Sequence, residues 1–238
     1  MTTILKVIVG SRAHGVADSD SDVDYRGVFV LPTREILALG ARPKQTAWVE
    51  GVPIPEGAED TARGKVDDTA WEIGHFLNLA VHCNPTILEV FAAPIDLEGF
   101  ATEDGERLRA LFPLVWNPRA VRDAFMGYGL NQRKKFLDNK DGRSAKYAQA
   151  YLRTLYQGNV LLREGWLPVD MRPTPIYDTL RRWRERRPDG RPAFAVGAVI
   201  DLCEEYRCLV EEAWPVCPQK PDLGRVNDFL LDVRRRYW

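Results

Sequence analysis

The most constraining feature of this chain is a Gly-Ser pair at the end of a strand-like run, followed about ten residues later by two aspartates. Residues 4–9 are mostly apolar and β-branched, which is typical of a buried strand. Gly10 and Ser11 come next, where we expect the chain to break into a turn. Asp22 and Asp24 precede the apolar residues 28–30, which favour a second strand.

The two aspartates are predicted to lie on the same face. If residues 22–30 form a strand, Asp22 and Asp24 project together, because side chains alternate along a strand. Two neighbouring anions repel unless a cation lies between them, and carboxylate oxygens suit Mg²⁺. The backbone N–H groups and the hydroxyl of a Gly-Ser turn can hold phosphate. These features together indicate the apparatus of nucleotidyl transfer.

Other metal and phosphate sites fit the sequence poorly. An EF-hand register that starts at Asp18 or Asp20 lacks the Gly and Glu needed at positions six and twelve. No Gly-Lys-Ser or Gly-Lys-Thr occurs, which excludes a Walker-type phosphate loop. The four cysteines show no paired spacing, so we expect no structural zinc, no disulfide framework and a reducing, cytoplasmic compartment. No run approaches the ~20 apolar residues of a membrane helix.

The combination of motifs resembles a known superfamily. A strand, Gly-Ser, about ten residues and Asp-x-Asp resemble the nucleotidyltransferases that include DNA polymerase β and kanamycin nucleotidyltransferase. The fuller string over residues 10–30 resembles one branch of that superfamily, the RNA-ligase-associated (RlaP-type) predicted nucleotidyltransferases. Three later segments resemble the same branch, namely residues 71–79, 84–89 and 146–153.

The resemblance implies an α/β (α+β) fold with a polymerase β-type nucleotidyltransferase domain, whose mixed sheet is flanked by helices, followed by an all-helical domain. The periodicity agrees, since strand and helix patterns alternate before residues 112–118 and helical patterns follow. We therefore predict a catalytic domain over residues 1–112 and a helical C-terminal domain over residues 113–238. The helices expected in the second domain are residues 119–136, 144–164, 176–186, 194–213 and 226–237.

The first domain is predicted to contain short alternating elements. Strands are expected at residues 4–9, 24–31 and 67–72, and helices at residues 33–39 and 74–83. Residues 40–65 are rich in Pro and Gly and predict a short hairpin with an exposed loop. Asn84 is expected to cap a further helix that begins at Pro85.

The net charge of the chain changes sign at the same predicted domain boundary. Residues 1–112 hold 10 Lys/Arg and 18 Asp/Glu, a balance of −8, and residues 113–238 hold 23 and 16, a balance of +7. An acidic half that carries metal ligands and a basic half facing it would form a cleft for a polyanionic nucleotide. The alternative is that the two halves simply neutralise each other.

A third carboxylate is expected from the strand at residues 67–72, because two-metal phosphoryl transfer ordinarily uses one. Asp68 and Glu72 share one face of that strand, and Asp67 lies on the other. Asp68 is the first choice, and Glu72 is the alternative, which could instead cap the helix that follows. The predicted cofactor is therefore a pair of Mg²⁺ ions held by Asp22, Asp24 and Asp68, for which Mn²⁺ could substitute.

The predicted nucleotide-binding residues come from both domains. Gly10 and Ser11 would hold the triphosphate, and Arg12 would either steady it or pair with one of the acidic residues of the loop. His14 is interpreted as a residue that orders the loop, with proton transfer as the alternative. The resemblance adds Lys146 and Arg153, two helical turns apart on one helix face, because related enzymes take triphosphate contacts from the helical domain. A solvated surface is the alternative for both.

The predicted activity is Mg-dependent transfer of an NMP from an NTP, with ATP the expected donor, to a hydroxyl acceptor with release of pyrophosphate. The acceptor could be an RNA end, a protein or a small molecule. An RNA acceptor would extend along a basic run formed by Arg181, Arg182, Arg184, Arg186 and Arg187. The alternative is that this run is a solvated helix end. The alternative function is a non-catalytic nucleotide- or RNA-binding partner of an RNA ligase or toxin, built on the same fold.

Overall fold

A mixed sheet forms the N-terminal part of the structure. The structure, a computed structural model, describes residues 1–19, 21–52, 68–138, 144–185 and 192–238. The strands are β1 (Thr2–Val9), β2 (Asp24–Val30), β3 (Thr46–Trp48), β4 (Thr69–Glu72) and β5 (Phe100–Ala101). They stand in the order β3-β4-β2-β1-β5. β2 and β4 run parallel, and the other neighbouring pairs run antiparallel.

Helices flank the sheet, and the described part of the chain after residue 115 is mainly helical. Those up to residue 115 are α1 (Gly10–Ala13), α2 (Thr33–Leu37), α3 (Ile73–Val81), α4 (Pro85–Ala92), α5 (Glu103–Arg109) and α6 (Phe112–Val115). Those beyond it are α7 (Pro118–Asp138), α8 (Ser144–Glu164), α9 (Tyr177–Arg182), α10 (Val196–Ala213) and α11 (Leu223–Arg236). Within the described ranges, no helix is both long enough and apolar enough to cross a bilayer.

The predicted α+β fold, with a mixed sheet followed by a helical part, is confirmed. The helix expected at residues 144–164 coincides with α8. Asn84 caps α4 as predicted, because its side-chain oxygen accepts hydrogen bonds from the N–H groups of Thr86 and Ile87. α1, α5, α6 and β5 were not predicted, since elements of two to seven residues are too short to show a clear period. The predicted loop over residues 53–65, Asp67, Arg186 and Arg187 lie outside the described residues.

The two faces of the sheet carry different hydrophobic clusters. Val7 and Val28 belong to the larger cluster, which also contains buried side chains of α3, α4, α7 and α8. Tyr25 and Phe29 point to the opposite face and belong to a smaller cluster with residues of β3 and β4. The larger cluster is continuous across residue 112, so packing alone does not mark a boundary there, and the division into two domains stays a prediction.

α7 and α8 approach each other closely at two glycines. A Cβ on Gly129 would lie 3.2 Å from the Leu155 side chain, and one on Gly158 would lie 3.1 Å from that of Phe125. The missing side chains let the two helix backbones come together. This packing fixes the position of α8, which carries Arg153.

The C-terminal helix returns to the sheet. The Thr33 hydroxyl donates a hydrogen bond of 2.6 Å to the carbonyl of Arg234. The Thr33 N–H donates one of 2.7 Å to the carbonyl of Tyr237. α11 therefore closes one side of the N-terminal part and brings Arg234 to the end of β4.

Candidate active site

The Gly-Ser turn, defined here as residues 10–16, begins where β1 ends. Gly10 has a φ of +70°, and its carbonyl accepts a hydrogen bond of 3.0 Å from the His14 N–H. A Cβ on Gly10 would lie 2.2 Å from Oδ2 of Asp24. Both the positive φ and the close carboxylate therefore require glycine at this position.

Asp24 lies in a strand, whereas Asp22 lies in a loop. Asp24 is half-buried and begins β2, opposite Val9 in the antiparallel register. Asp22 is exposed and lies in the loop that precedes the strand. The prediction that both project from one strand face is therefore not met, because β1 turns away at Gly10 and leaves Asp22 without a paired strand.

The structure separates the two candidates for the third carboxylate. Oδ1 of Asp68 accepts a hydrogen bond of 2.6 Å from the N–H of Tyr25, the residue next to Asp24. Glu72 is buried, and its two oxygens accept hydrogen bonds of 2.7 and 2.9 Å from Arg234. The Gly74 N–H donates a further bond of 2.7 Å to Glu72, which caps α3. Glu72 is thus held by Arg234 and α3, whereas Asp68 contacts the backbone of the residue next to Asp24.

The donor chemistry of this strand end suits Mg²⁺. Asp22, Asp24 and Asp68 offer hard carboxylate oxygens, which Mg²⁺ prefers. The carboxylate of Asp24 also fills the space that a side chain at Gly10 would take. Within the described ranges, no three His, Cys, Asp or Glu side chains stand together closely enough to hold one ion. Metal binding by these residues stays a prediction.

Two arginines hold the acidic loop, defined here as residues 17–23, of which residue 20 is not described. Arg12 donates bonds of 3.2 and 2.7 Å to the carbonyl of Ser21. Arg184, from beyond α9, donates to the carbonyl of Val16 and to Oδ2 of Asp18, the latter at 2.5 Å. The Ser21 hydroxyl, together with Arg184, lowers the pKa of the Asp18 carboxyl. The contact of Arg12 that the structure describes is with a backbone carbonyl of the loop. Its role at the triphosphate stays a prediction.

The predicted RNA-binding run is only partly available as surface. Arg184 is committed to the acidic loop, so it belongs to an internal contact. Arg182 is exposed and contacts residues of its own helix, Asp178 and Thr179. Arg181 is exposed and lies over the ring of Tyr177.

A buried polar network joins the Gly-Ser turn to α4 and α8. His14 Nε2 lies 2.8 Å from Oε1 of Glu89 on α4, and Arg153 on α8 donates a bond of 3.0 Å to Oε2. Arg153 donates a further bond of 3.2 Å to Gln157, whose amide donates to the carbonyl of Pro168 at 2.8 Å. Arg153 therefore has protein partners already, whereas Lys146 is exposed on the first turn of α8.

Burial and charge set the ionisation of this network. Burial, followed by the charge of Arg153, lowers the pKa of His14. Burial alone would raise the pKa of Glu89, but its contacts with His14 and Arg153 lower it to about 2. At neutral pH, Glu89 is therefore an anion that pairs with Arg153, and a neutral His14 donates its Nε2–H to it.

A groove of about 570 Å³ runs beside the Gly-Ser turn. Trp166 is half-exposed at this groove, and its indole N–H donates a bond of 2.7 Å to Glu164. Arg172 is held by Asp170 through bonds of 2.6 to 2.9 Å. The turn contributes Arg12 and Ala13, and most of the remaining lining is apolar: Ile8, Phe91, Ala92, Pro94, Phe112, Leu167 and Val169.

Sequence reasoning missed Glu89, Trp166 and Arg184 as parts of this region. Glu89 had two signals, since it is an acid among the apolar residues of a predicted helix and it ends the segment 84–89 that resembles the family, but the sequence does not show its partners. The groove-lining residues and the partner of Arg184 had none, because they meet the turn only through the tertiary fold.

Comparisons with known proteins found one family and two curated relatives that match this chain. A family model described as "RlaP: RNA repair pathway DNA polymerase beta family" matches residues 1–181. An uncharacterized 38.9 kDa protein of Enterobacteria phage T4, from the nrdC-mobD intergenic region, is 22% identical over 147 residues. The uncharacterized protein YcgL of Bacillus subtilis (strain 168) is 26% identical over 160 residues.

These two relatives are longer than the matched region. The alignments cover 62% and 67% of this chain but 39% and 56% of the relatives' own length. No solved structure matches the chain.

Proposed function

Because the chain belongs to the RNA repair pathway DNA polymerase beta family, we propose that it is a Mg²⁺-dependent nucleotidyltransferase, which moves an NMP from an NTP to a hydroxyl acceptor. The observation that carries this proposal is the contact between Gly10 and Asp24. A turn suited to phosphate adjoins a carboxylate suited to metal, so closely that a Cβ on Gly10 would lie 2.2 Å from Oδ2 of Asp24.

The metal ligands in this proposal are Asp22, Asp24 and Asp68. Bound Mg²⁺ would neutralise the triphosphate and lower the barrier to attack on the α-phosphorus. β2 lies between β4 and β1, so Asp68 is on the side of Asp24 away from the Gly-Ser turn. We therefore assign Asp68 to the acceptor side and the turn to the pyrophosphate side.

In the transfer step, the acceptor oxygen bonds to the α-phosphorus while the bond to the bridging oxygen of pyrophosphate breaks. The hydroxyl proton is released to solvent. The leaving pyrophosphate gains negative charge, which Ser11, Arg12 and the backbone N–H groups of the turn offset. Lys146 is proposed as a further phosphate contact.

The groove is proposed to hold the nucleoside of the NTP. Its lining includes Arg12 and Trp166, and the Trp166 ring is half-exposed and oriented by Glu164. A base could stack on that ring, which is worth about 1–3 kcal/mol in other proteins. ATP is the donor to test first.

RNA is the acceptor to test first, since the family is described by an RNA repair pathway. Arg181 and Arg182 are exposed and would contact its phosphates. A protein hydroxyl and a small molecule are the other acceptors for the same assay.

One observation favours the alternative, a binding partner without turnover. Arg12 and Arg184 both hold the acidic loop, and no three-residue metal cluster is formed among the described residues. A module of this kind would bind Mg²⁺–NTP or RNA and release no pyrophosphate.

The decisive experiment measures Mg²⁺-dependent pyrophosphate release with each NTP in the presence of RNA, protein and small hydroxyl acceptors. Asp24→Asn should abolish release, while Asp201→Asn, at an exposed position on α10, should not. Calorimetry of Mg²⁺–ATP binding runs beside it. Binding without release for every acceptor would favour the alternative function, and full activity of Asp24→Asn would reject the proposed site.

A further inference from the structure

We infer that Glu89 and Arg153 are positioning residues, which hold the Gly-Ser turn in its working shape through His14. This inference rests on the proposed function for its kinetic readout only. It also gives Arg153 a different role from the direct phosphate contact that the family resemblance implies.

The geometry accounts for both oxygens of Glu89. One lies 2.8 Å from His14 Nε2, and the other accepts from Arg153 at 3.0 Å. The side chains of Glu89 and Arg153 are 12% and 16% exposed, so little of either reaches solvent. Arg153 also donates to Gln157, so two protein groups orient its guanidinium.

His14 is held through its backbone as well as its ring. Its carbonyl accepts a hydrogen bond of 3.1 Å from the N–H of Met171. A Cβ on Gly15 would lie 2.7 Å from Cγ of Arg172 and 2.9 Å from Oδ1 of Asp170. The end of the turn therefore contacts Glu89 of α4 on one side and residues 170–172 on the other. Because Glu89 also binds Arg153, a shift of α8 would change the position of the turn.

The charges of Glu89 and Arg153 make each residue depend on the other. A buried charge that loses its partner is costly, whereas removing both partners together can be nearly neutral. Without the Glu89 carboxylate, the mostly buried Arg153 keeps only Gln157 as an acceptor. A glutamine at position 89 has one oxygen, which cannot accept from both Arg153 and His14. The turn should then loosen even though no residue of the turn has changed.

The test compares Glu89→Gln with Asp104→Asn, which alters another buried carboxylate bound by two arginines, Arg107 and Arg236, away from the turn. Amide hydrogen exchange of His14, Gly15 and Val16, whose N–H groups bond to carbonyls within the turn, should rise at least about tenfold in Glu89→Gln. Asp104→Asn should leave it unchanged at a similar loss of Tm. Equal exchange in the two variants would overturn the inference.

A second pair of variants keeps Glu89 and Arg153 intact. His14→Gln retains an N–H donor of similar reach, and His14→Ala removes it. We expect the exchange of Gly15 and Val16 to be close to that of the parent in His14→Gln and raised in His14→Ala. If both substitutions have the same effect, the hydrogen bond to Glu89 does not hold the turn.

A double-mutant cycle separates positioning from direct phosphate contact. If Arg153 acts through Glu89, Glu89→Gln and Arg153→Met should each raise the KM for ATP, and the double variant should be no worse than the more affected single variant. If Arg153→Met alone raises KM while Glu89→Gln does not, Arg153 contacts the nucleotide and the inference fails. An inactive parent protein would reject the proposed function, and the exchange measurements would still decide the positioning role.

Discussion

The backbone N–H of Tyr25 donates a hydrogen bond of 2.6 Å to Oδ1 of Asp68. This bond ties the residue that precedes β4 to the beginning of β2, next to Asp24. Asp68 is therefore positioned by the same strand that carries a proposed metal ligand. Glu72, four residues later, faces Arg234 and the N-terminus of α3 instead.

Substitutions at Asp68 and Glu72 should have opposite effects. Asp68→Asn keeps an oxygen that can accept from Tyr25, so we expect a change in stability below about 1 kcal/mol and a fall in kcat of at least about 100-fold. Glu72→Gln breaks a buried ion pair and should cost about 3 kcal/mol of unfolding free energy, with activity per folded molecule retained. Urea unfolding and pyrophosphate release measure the two quantities. The reverse pattern would make Glu72 the third metal ligand.

The contact between Gly10 and Asp24 predicts a strong effect of a single methyl group. Gly10→Ala should lower the unfolding free energy by more than about 2 kcal/mol, because it adds a clash with the carboxylate to the strain of a positive φ. Gly40→Ala is the matched control, since Gly40 has a φ of +75° and a methyl group added there would meet no atom within 4 Å. It should cost about 1 kcal/mol. Equal costs in thermal unfolding would show that Asp24 does not crowd the turn.

The sequence predicted the elements whose pattern is long and local. α8 was placed at its observed ends because its period runs over 21 residues, and the break after β1 followed from Gly10. The register of Asp22 could not be predicted, since it depends on where the partner strand β1 ends. The spacing of Lys146 and Arg153 correctly puts both on one helix face, but it does not reveal that Glu89, 64 residues away, meets Arg153 there.

The site was predictable only in its local part. Gly10, Ser11 and Asp24 lie within one short stretch, and their proximity follows from two adjacent strands. The contact of Arg184 with Asp18 joins residues 166 positions apart, and the groove depends on how residues 166–172 pack on the turn. Such contacts come from tertiary packing, which no local pattern encodes.

Acid should weaken the fold through Glu89 and His14. The pKa of Glu89 is lowered to about 2 in the folded state, so its contribution is present above its ordinary value of about 4.3 and is lost as the pH falls toward 2. The lowered pKa of His14 acts in the same direction, because below about pH 6.5 the unfolded chain takes up the proton first. Urea unfolding between about pH 3 and pH 7, a range that spans the ordinary pKa values of Glu and His, measures how steeply the unfolding free energy changes with pH. Glu89→Gln should flatten this dependence below pH 5, and Glu98→Gln, at an exposed position, should not.

Arg184 is expected to order the acidic loop without adding much global stability. Its side chain is 30% exposed and that of Asp18 is 56% exposed, and ion pairs of this kind contribute at most about 1 kcal/mol. Arg184→Met should leave Tm nearly unchanged but raise amide exchange in the acidic loop. Arg182→Met is the control on the same segment. Unchanged exchange in Arg184→Met would show that Arg12 holds the loop alone.

RNA binding, if it follows the basic run, should depend on Arg181 and Arg182 but not on Arg184. The first two are exposed, whereas Arg184 donates its hydrogen bonds to the loop. Removing two phosphate contacts from a single-stranded RNA complex should reduce the slope of log K against log salt by about 1.4, or 0.7 for each contact. Fluorescence anisotropy with a labelled single-stranded RNA, over a salt titration, measures that slope for Arg181→Ala/Arg182→Ala and for Arg184→Ala. A matched double change at exposed positions of α11, Arg225→Ala/Arg235→Ala, controls for net charge. If that control lowers the slope as much, binding is a general effect of charge, and the RNA acceptor would have to lie on another surface.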